Sequence, residues 1–525
     1  MLSFFRKDVL YPWQEGASVY ETIRSKIDAH GRLQDNTLPD DESYWEGQPL
    51  RWVAGGLDGA MGHHGGAGWE QEKVTEIVQV LARLSRKPSP RTRRAAYLKL
   101  MQTNLTGVID PVLEALRNHS GINAQNLYHE ALWLTERGAH RNVVKFGMAL
   151  LGQFESESHR ELIMILGKHD EFTLYSAVAI QNSLAAPNAA LFELARSLDG
   201  WGKIQLVERL EPETQEMKDW LLREGCRNSI MYEYLAYTCA QKGELHAALA
   251  ADEVDEALYK GAGDILSALT RGGPAEDMDD YEQAAVAIGQ YLRLSRTLCN
   301  EVSQLTVIID LLNWLNTDDE QWERRLSKGW TEDRRCQYRE AADNILAADG
   351  WREKVWTALC SGDTGQRHFA IRAAKALGLD AWEALFEQFR QSPLDGMLIY
   401  ELMRAADEQR ARTLVSFAET SLPLSHIASG PADEMGLGPN YEAHQALDFL
   451  VQELDRYPGV GRKLVAAALH SPVVRNRNMA LRTLEAWPLA DWEETLVSAV
   501  RELAETEPVP DVKESVLKLM QDKEI

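Results

Sequence analysis

No apolar run in these 525 residues approaches the ~20 residues needed to cross a bilayer. The longest apolar stretch, 305–315, is interrupted by Asp310 and Asn313, which marks it as a buried helix and not a membrane span. The opening residues, M-L-S-F-F-R-K-D, lack the apolar centre of a secretory leader, so no signal peptide is expected. Cysteine is scarce: Cys226, Cys239, Cys299, Cys336 and Cys360 are scattered, form no C-x-x-C pair, and read as reduced core residues. Together these absences point to a cytoplasmic protein. Basic residues are also outnumbered, with 56 Lys and Arg against 80 Asp and Glu and a net charge of −24. The phosphate backbone is gripped mainly by Lys and Arg, so general nucleic-acid binding is not expected. Nor does any stretch alternate with period two between turn signals, which excludes a substantial β-sheet.

The motifs of cofactor chemistry are missing too. No cysteine sits in an F-x-x-G-x-x-x-C-x-G loop, as a haem thiolate would. None of the 13 histidines has a glutamate three residues before it, as a helical di-iron site requires. The G-x-G pairs that begin at Gly66, Gly200, Gly261, Gly436 and Gly459 all lack the third glycine of a dinucleotide turn. His129-Glu130 opens an H-E-x-x-H that ends in Trp133, and there is no P-loop. The reading is therefore of a chain without a cofactor, more a binding protein than an enzyme, with no catalytic residue to name.

Helical periodicity is what the chain has in quantity. Val474, Ala480, Leu481 and Leu484 share one stripe; Trp492, Leu496, Ala499, Val500 and Leu503 share the next. The first pattern then returns, with Arg477, Ala480 and Leu484 echoed by Lys513, Val516 and Met520, a step of 513 − 477 = 36. It occurs upstream as Arg93, Ala96 and Leu100, and as Arg367, Ala370 and Ala374. Helix pairs recurring at a step somewhat below the roughly 40–47 residues of HEAT and armadillo units predict an all-α, HEAT/armadillo-like α-solenoid of stacked antiparallel helix pairs.

The expected organisation is a non-repeat N-terminal cap over 1–69, HEAT-like helices over 70–421 with an irregular middle, a loop insertion over 422–440 and C-terminal repeats over 441–525. Within the array, helices are expected near 108–117, 127–137, 142–154, 160–167, 280–296 and 301–316. In the cap, Tyr20, Ile23 and Ile27 predict one amphipathic helix. The segment 53–69, V-A-G-G-L-D-G-A-M-G-H-H-G-G-A-G-W, reads as the least helical of the protein. The acidic run 276–280 reads as a solvated helix start.

The phrases R-W-V-A-G-G-L-D-G-A-M-G-H-H (51–64), G-W-G-K-I-Q-L-V-E-R-L (200–210) and K-D-W-L-L-R-E-G-C-R-N-S-I-M (218–231) resemble a family of bacterial, mostly Bacillus-type, proteins of similar length with HEAT-like repeats. Some members carry the label limonene hydroxylase. That resemblance implies the same solenoid and, through the label, a monooxygenase acting on a monoterpene. It supplies no catalytic residues.

Two candidate sites stand out. The first is the Gly/His-rich segment with Trp52, Asp58, His63, His64 and Trp69. Imidazoles and a carboxylate can hold a metal, but adjacent histidines are poorly placed to chelate one ion. The expected role is structural, with Trp52 and Trp69 as buried anchors and the histidines near a cleft. The second is the basic turn of Arg83, Arg86, Lys87, Arg91, Arg93 and Arg94 around Pro88 and Pro90, read as a solvated turn or as an anion dock. Trp133, Trp314, Trp382, Trp487 and Trp492 lie in helical runs and are expected in the core. The leading function is a scaffold that holds a protein or peptide, basic or amphipathic to suit the acidic balance.

Overall fold

In a computed structural model of the chain, every regular element among the described residues is helical; strand-like pairing is confined to two isolated bridges, Ile27 with Leu33 and Glu434 with Val473. The structure describes residues 11–48, 51–64, 71–105 and 107–525, without the side chains of 61–64. The chain forms two compact units, Met1–Asn300 with Val307–Leu346, and Glu301–Thr306 with Ala347–Ile525.

The first unit begins with three short helices, α1 (Val19–Ser25), α2 (Asp41–Trp45) and α3 (Gly56–His64). A succession follows: α4 (Gln71–Arg86), α5 (Pro90–Met101), α6 (Ile109–Arg117), α7 (Ala124–Arg137), α8 (Arg141–Leu151), α9 (Arg160–Leu166), α10 (Asp170–Ser183), α11 (Pro187–Ala195) and α12 (Trp201–Arg209). The starts are written in the sequence. Ser89 accepts the Thr92 N–H at 3.3 Å with Pro90 in the first turn of α5, and Asn123 caps α7 in the same way at 2.9 Å. Helix α8 is buried along its whole length, including Arg141 and Lys145. Charges in such a helix must find partners inside the protein.

Immediately beyond α12 the helices of the unit are shorter and more interrupted. α13 (Gln215–Trp220) runs into a π-helical turn, Leu221–Gly225, before α14 (Ala236–Lys242), α15 (Leu245–Leu249), α16 (Glu256–Arg271) and α17 (Ala284–Leu298). The buried Lys203 ammonium donates to the Glu224 carbonyl at 2.9 Å and to the Arg227 carbonyl, so it satisfies backbone acceptors around the wide turn. α18 (Val302–Leu315) supplies residues to both units, and α19 (Asp319–Ser327) and α20 (Glu332–Leu346) complete the first. The acidic run does not start a helix: Asp279 lies in the turn before α17 and accepts the Nε of buried Arg325 at 2.7 Å. Arg325 stacks on Trp314, 3.6 Å from the ring centroid, and donates to the Trp314 carbonyl.

The second unit holds α21 (Trp351–Cys360), α22 (Thr364–Ala376), α23 (Trp382–Gln391), α24 (Gly396–Arg404), α25 (Glu408–Ser421), α26 (Leu424–Ile427), α27 (Glu442–Val451), α28 (Arg462–Leu469), α29 (Val474–Ala486), α30 (Glu493–Thr506) and α31 (Pro510–Asp522). Trp382, Trp487 and Trp492 are buried as expected, and the Trp487 indole donates to the Leu454 carbonyl at 2.7 Å. Trp133 is only half-buried. Cys226 and Cys239 are buried, but Cys336 and Cys360 are exposed, so the expectation of five core thiols fails for those two.

The arginine that opens the recurring pattern has the same task at three places. Arg93 grips Glu130 with two hydrogen bonds of 2.7 Å, Arg367 pairs with Asp395, and Arg477 grips Glu507 at 2.7 and 2.8 Å. Each guanidinium joins its helix to a carboxylate that comes later in the chain. Arg477 also reaches the expected loop insertion, donating to the Ala432 carbonyl at 2.8 Å. That stretch contains the short α26 and is stitched further by Gly430 N–H to the His470 carbonyl and by the Glu434–Val473 bridge.

Candidate functional site

The N-terminal segment is fastened to α8 by buried charge. Arg141, the first residue of α8, donates its backbone N–H to Asp40 Oδ2 at 2.8 Å, its Nη2 to Asp40 Oδ1 at 3.1 Å, and a further bond to Asp41. The Tyr44 ring lies 4.1 Å from the guanidinium. One turn further along α8, Lys145 Nζ binds Asp58 of α3 at 2.8 Å and Glu171 of α10 at 2.7 Å, and Glu171 in turn accepts the Gly55 N–H at 3.2 Å. Burial alone would depress Lys145; Glu171 and Asp58 outweigh it and hold the ammonium well above its usual range. For Glu171, burial pushes up and Lys145 pulls down harder, leaving the carboxyl below its usual range. The neighbouring Asp170 has no such cation among the described residues: burial raises it to about 6, against the Gly202 N–H that it accepts at 2.8 Å. Both fastenings are ion pairs in a dry interior, where a partner cannot be removed cheaply.

The Gly-rich segment is helical from Gly56 to His64, contrary to the expectation that it is the least helical stretch. Glycine serves close packing here. A Cβ on Gly59 would lie 2.2 Å from Cε3 of Trp201, and one on Gly55, at φ +69°, would lie 2.6 Å from the Asp170 carbonyl oxygen. Helix α3 thus lies flat against the start of α12. Trp52 is 43% exposed, so it is not the buried anchor expected of it. Asp58 is one, through charge. Trp69 and the side chains of His63 and His64 lie outside the described residues.

Between α2, the residues leading into α3, and the ends of α5 and α8 lies a cavity of about 830 Å³. Tyr44, Trp45 and Trp52 give it aromatic walls, and Tyr44 and Trp45 meet edge to face with centroids 4.9 Å apart. Gln48, Gln102 and Asn142 contribute amides. Among the described residues, the charged groups on its lining are Glu15, exposed, and Asp40, held from behind by Arg141, and no lysine or arginine faces it. On one wall His140 Nδ1 pairs with the Tyr97 hydroxyl at 2.9 Å, and that oxygen accepts the Ala139 N–H. Burial pushes Tyr97 up to about 12 and depresses His140, which keeps the imidazole neutral. The dyad holds a loop and a ring in place.

The basic turn does not present all its residues alike. Arg93 is engaged by Glu130 and stacks on Trp133, 4.1 Å from its centroid, and Arg86 Nε donates to its own helix at the Ala82 carbonyl. Arg86, Lys87, Arg91 and Arg94 are exposed. Among the described residues, no three of His, Cys, Asp and Glu come together as metal ligands. Sequence reasoning missed Lys145 and Arg141, although a lysine inside V-V-K-F-G-M-A-L-L is a visible signal of a buried charge.

No family model matches the chain, and no curated protein matches it.

Proposed function

We propose that the chain is a HEAT/armadillo-like binding scaffold working in the cytoplasm, and that it receives a basic or amphipathic segment of a partner protein in the cavity beside the cap. The single observation that carries this reading is the lining: aromatic rings, neutral amides and two carboxylates, with no cationic side chain among the described residues. A lysine or arginine of the partner finds there ring faces for its aliphatic stem and its charge, and Glu15 as counter-ion. The net charge of −24 favours approach of such a segment. The solenoid reading is supported by the arginines of the recurring pattern, each of which links one helix to a later carboxylate, as stacked repeats require of their neighbours.

The test is fluorescence anisotropy with labelled Lys/Arg-rich amphipathic peptides and acidic controls of matched length. Gln102→Trp, which fills the cavity from an exposed position, and Glu15→Lys should each weaken basic-peptide binding by about tenfold. Binding unchanged in both variants would remove the cavity from the function. Hydroxylated limonene formed by the purified chain with NADH and a reductase, and not without it, would favour the hydroxylase that the sequence resemblance implies.

A further inference from the structure

Helices α17 and α20 pack beside one another in the first unit and enclose a groove of about 590 Å³. Its charge runs against that of the protein. Arg293 and Arg296 from α17 and Arg334 from α20 line it, with Glu340 as the one carboxylate on the wall among the described residues. All three arginines are exposed, and none takes part in an ion pair among the described residues; Arg293 Nε donates only to Gln290 Oε1, at 2.8 Å. In a chain with 80 acidic residues against 56 basic ones, carboxylates for these guanidinium groups are not in short supply. Elsewhere Arg93, Arg325, Arg367 and Arg477 are each paired. Three like charges gathered on one groove repel, and that repulsion is relieved when an anion lies among them.

The rest of the lining indicates what kind of anion. Gln290, Gln337 and Asn344 place amides along the groove, and an amide side chain both donates and accepts, as a peptide backbone requires of its partner. A Cβ on Gly289 would lie 2.4 Å from the Tyr338 hydroxyl oxygen, so glycine lets the Tyr338 ring rest against α17, and Ala341 also lines the groove. We propose that this groove is a second docking site, opposite in charge preference to the cavity beside the cap, and that its occupant is an extended segment of a partner protein rich in Asp and Glu. The carboxylates would take the guanidinium forks of Arg293, Arg296 and Arg334 while the backbone meets the amides.

The experiment uses the full chain and a fluorescein-labelled peptide alternating Glu with Ser, with an oligothymidylate as the competing polyanion. The peptide should bind at low salt and weaken as salt rises. Arg293→Ala with Arg334→Ala should lower its affinity by about tenfold or more. Ala341→Trp keeps every charge but fills the groove, and it should abolish binding. Circular dichroism establishes that both variants are folded, and Arg296→Glu, an exposed change, replaces either one that is not, with the same loss expected. No peptide binding at low salt overturns the proposal. So does binding that survives Ala341→Trp, which would mean attraction to surface charge alone, and so does tighter binding of the oligothymidylate than of the peptide.

Discussion

Lys145 and Glu171 meet at 2.7 Å, each almost wholly removed from solvent, and the same ammonium holds Asp58 of the cap at 2.8 Å. One cation therefore serves two carboxylates from two different helices. Taking it away leaves two negative charges buried side by side. Lys145→Met is expected to destabilise the first unit by about 3–5 kcal/mol, the usual cost of stranding a buried charge. Urea unfolding followed by tryptophan fluorescence measures this, and a loss below 1 kcal/mol would mean that the remaining contacts of Asp58 and Glu171 suffice to hold their charge.

Asp170 gives stability a pH dependence. Its folded pKa of about 6 lies above the ordinary 3.8, so between those values the folded state holds a proton that the unfolded chain has released. Its contribution to stability is present below that window, falls as pH rises through it, and is level above it. Asp170→Asn removes the penalty while keeping an acceptor for the Gly202 N–H. The variant should gain on the order of 2 kcal/mol over the wild type at pH 7 and nothing at pH 4, read from paired melts at both pH values. An equal gain at both would assign the effect to something other than this carboxyl.

The packing of α3 makes a paired prediction. Gly59→Ala must push a methyl group into the Trp201 ring and should cost about 1–3 kcal/mol, whereas Trp52→Ala, at a position 43% exposed, should cost well under the roughly 3–5 kcal/mol of a buried aromatic. The order of the two is the check: thermal melts in which Trp52→Ala is the worse variant would contradict this packing.

Thiol chemistry reads burial directly. Cys336 and Cys360 are exposed and should react with a disulfide reagent within the mixing time of a native sample. Burial pushes Cys239 up to about 12 and Cys226 well above its usual range, so both should stay silent until denaturant is added. Peptide mapping after brief alkylation identifies the labelled residues.

How much of this could be read beforehand differs from element to element. The amphipathic helices were legible: the expected 301–316 is α18 (Val302–Leu315), and 160–167 is α9 (Arg160–Leu166). Helix α3 was not, because each glycine costs a helix about 1 kcal/mol and local propensity therefore argues against one there. Tertiary packing against Trp201 overrides that cost. The fastening of the cap was half legible. Lys145 stands out in an apolar run, but Asp58 and Glu171 lie 87 and 26 residues away, and no spacing rule connects them. The aromatic cavity was not legible, since its walls come together from α2, the approach to α3, α5 and α8.

The Arg477 guanidinium binds Glu507, the Ser471 carbonyl and the Ala432 carbonyl at once. The segment around Ala432 therefore opens on the schedule of α29 and not on its own. Its hydrogen-bonded amides, Gly430 and Glu434, should exchange with deuterium slowly and together with those of the last helices, as one cooperative block. Met435 and Leu437, both well exposed beside this tether, then form a rigid apolar knob. A protease would have to unfold the end of the chain before it could cut there.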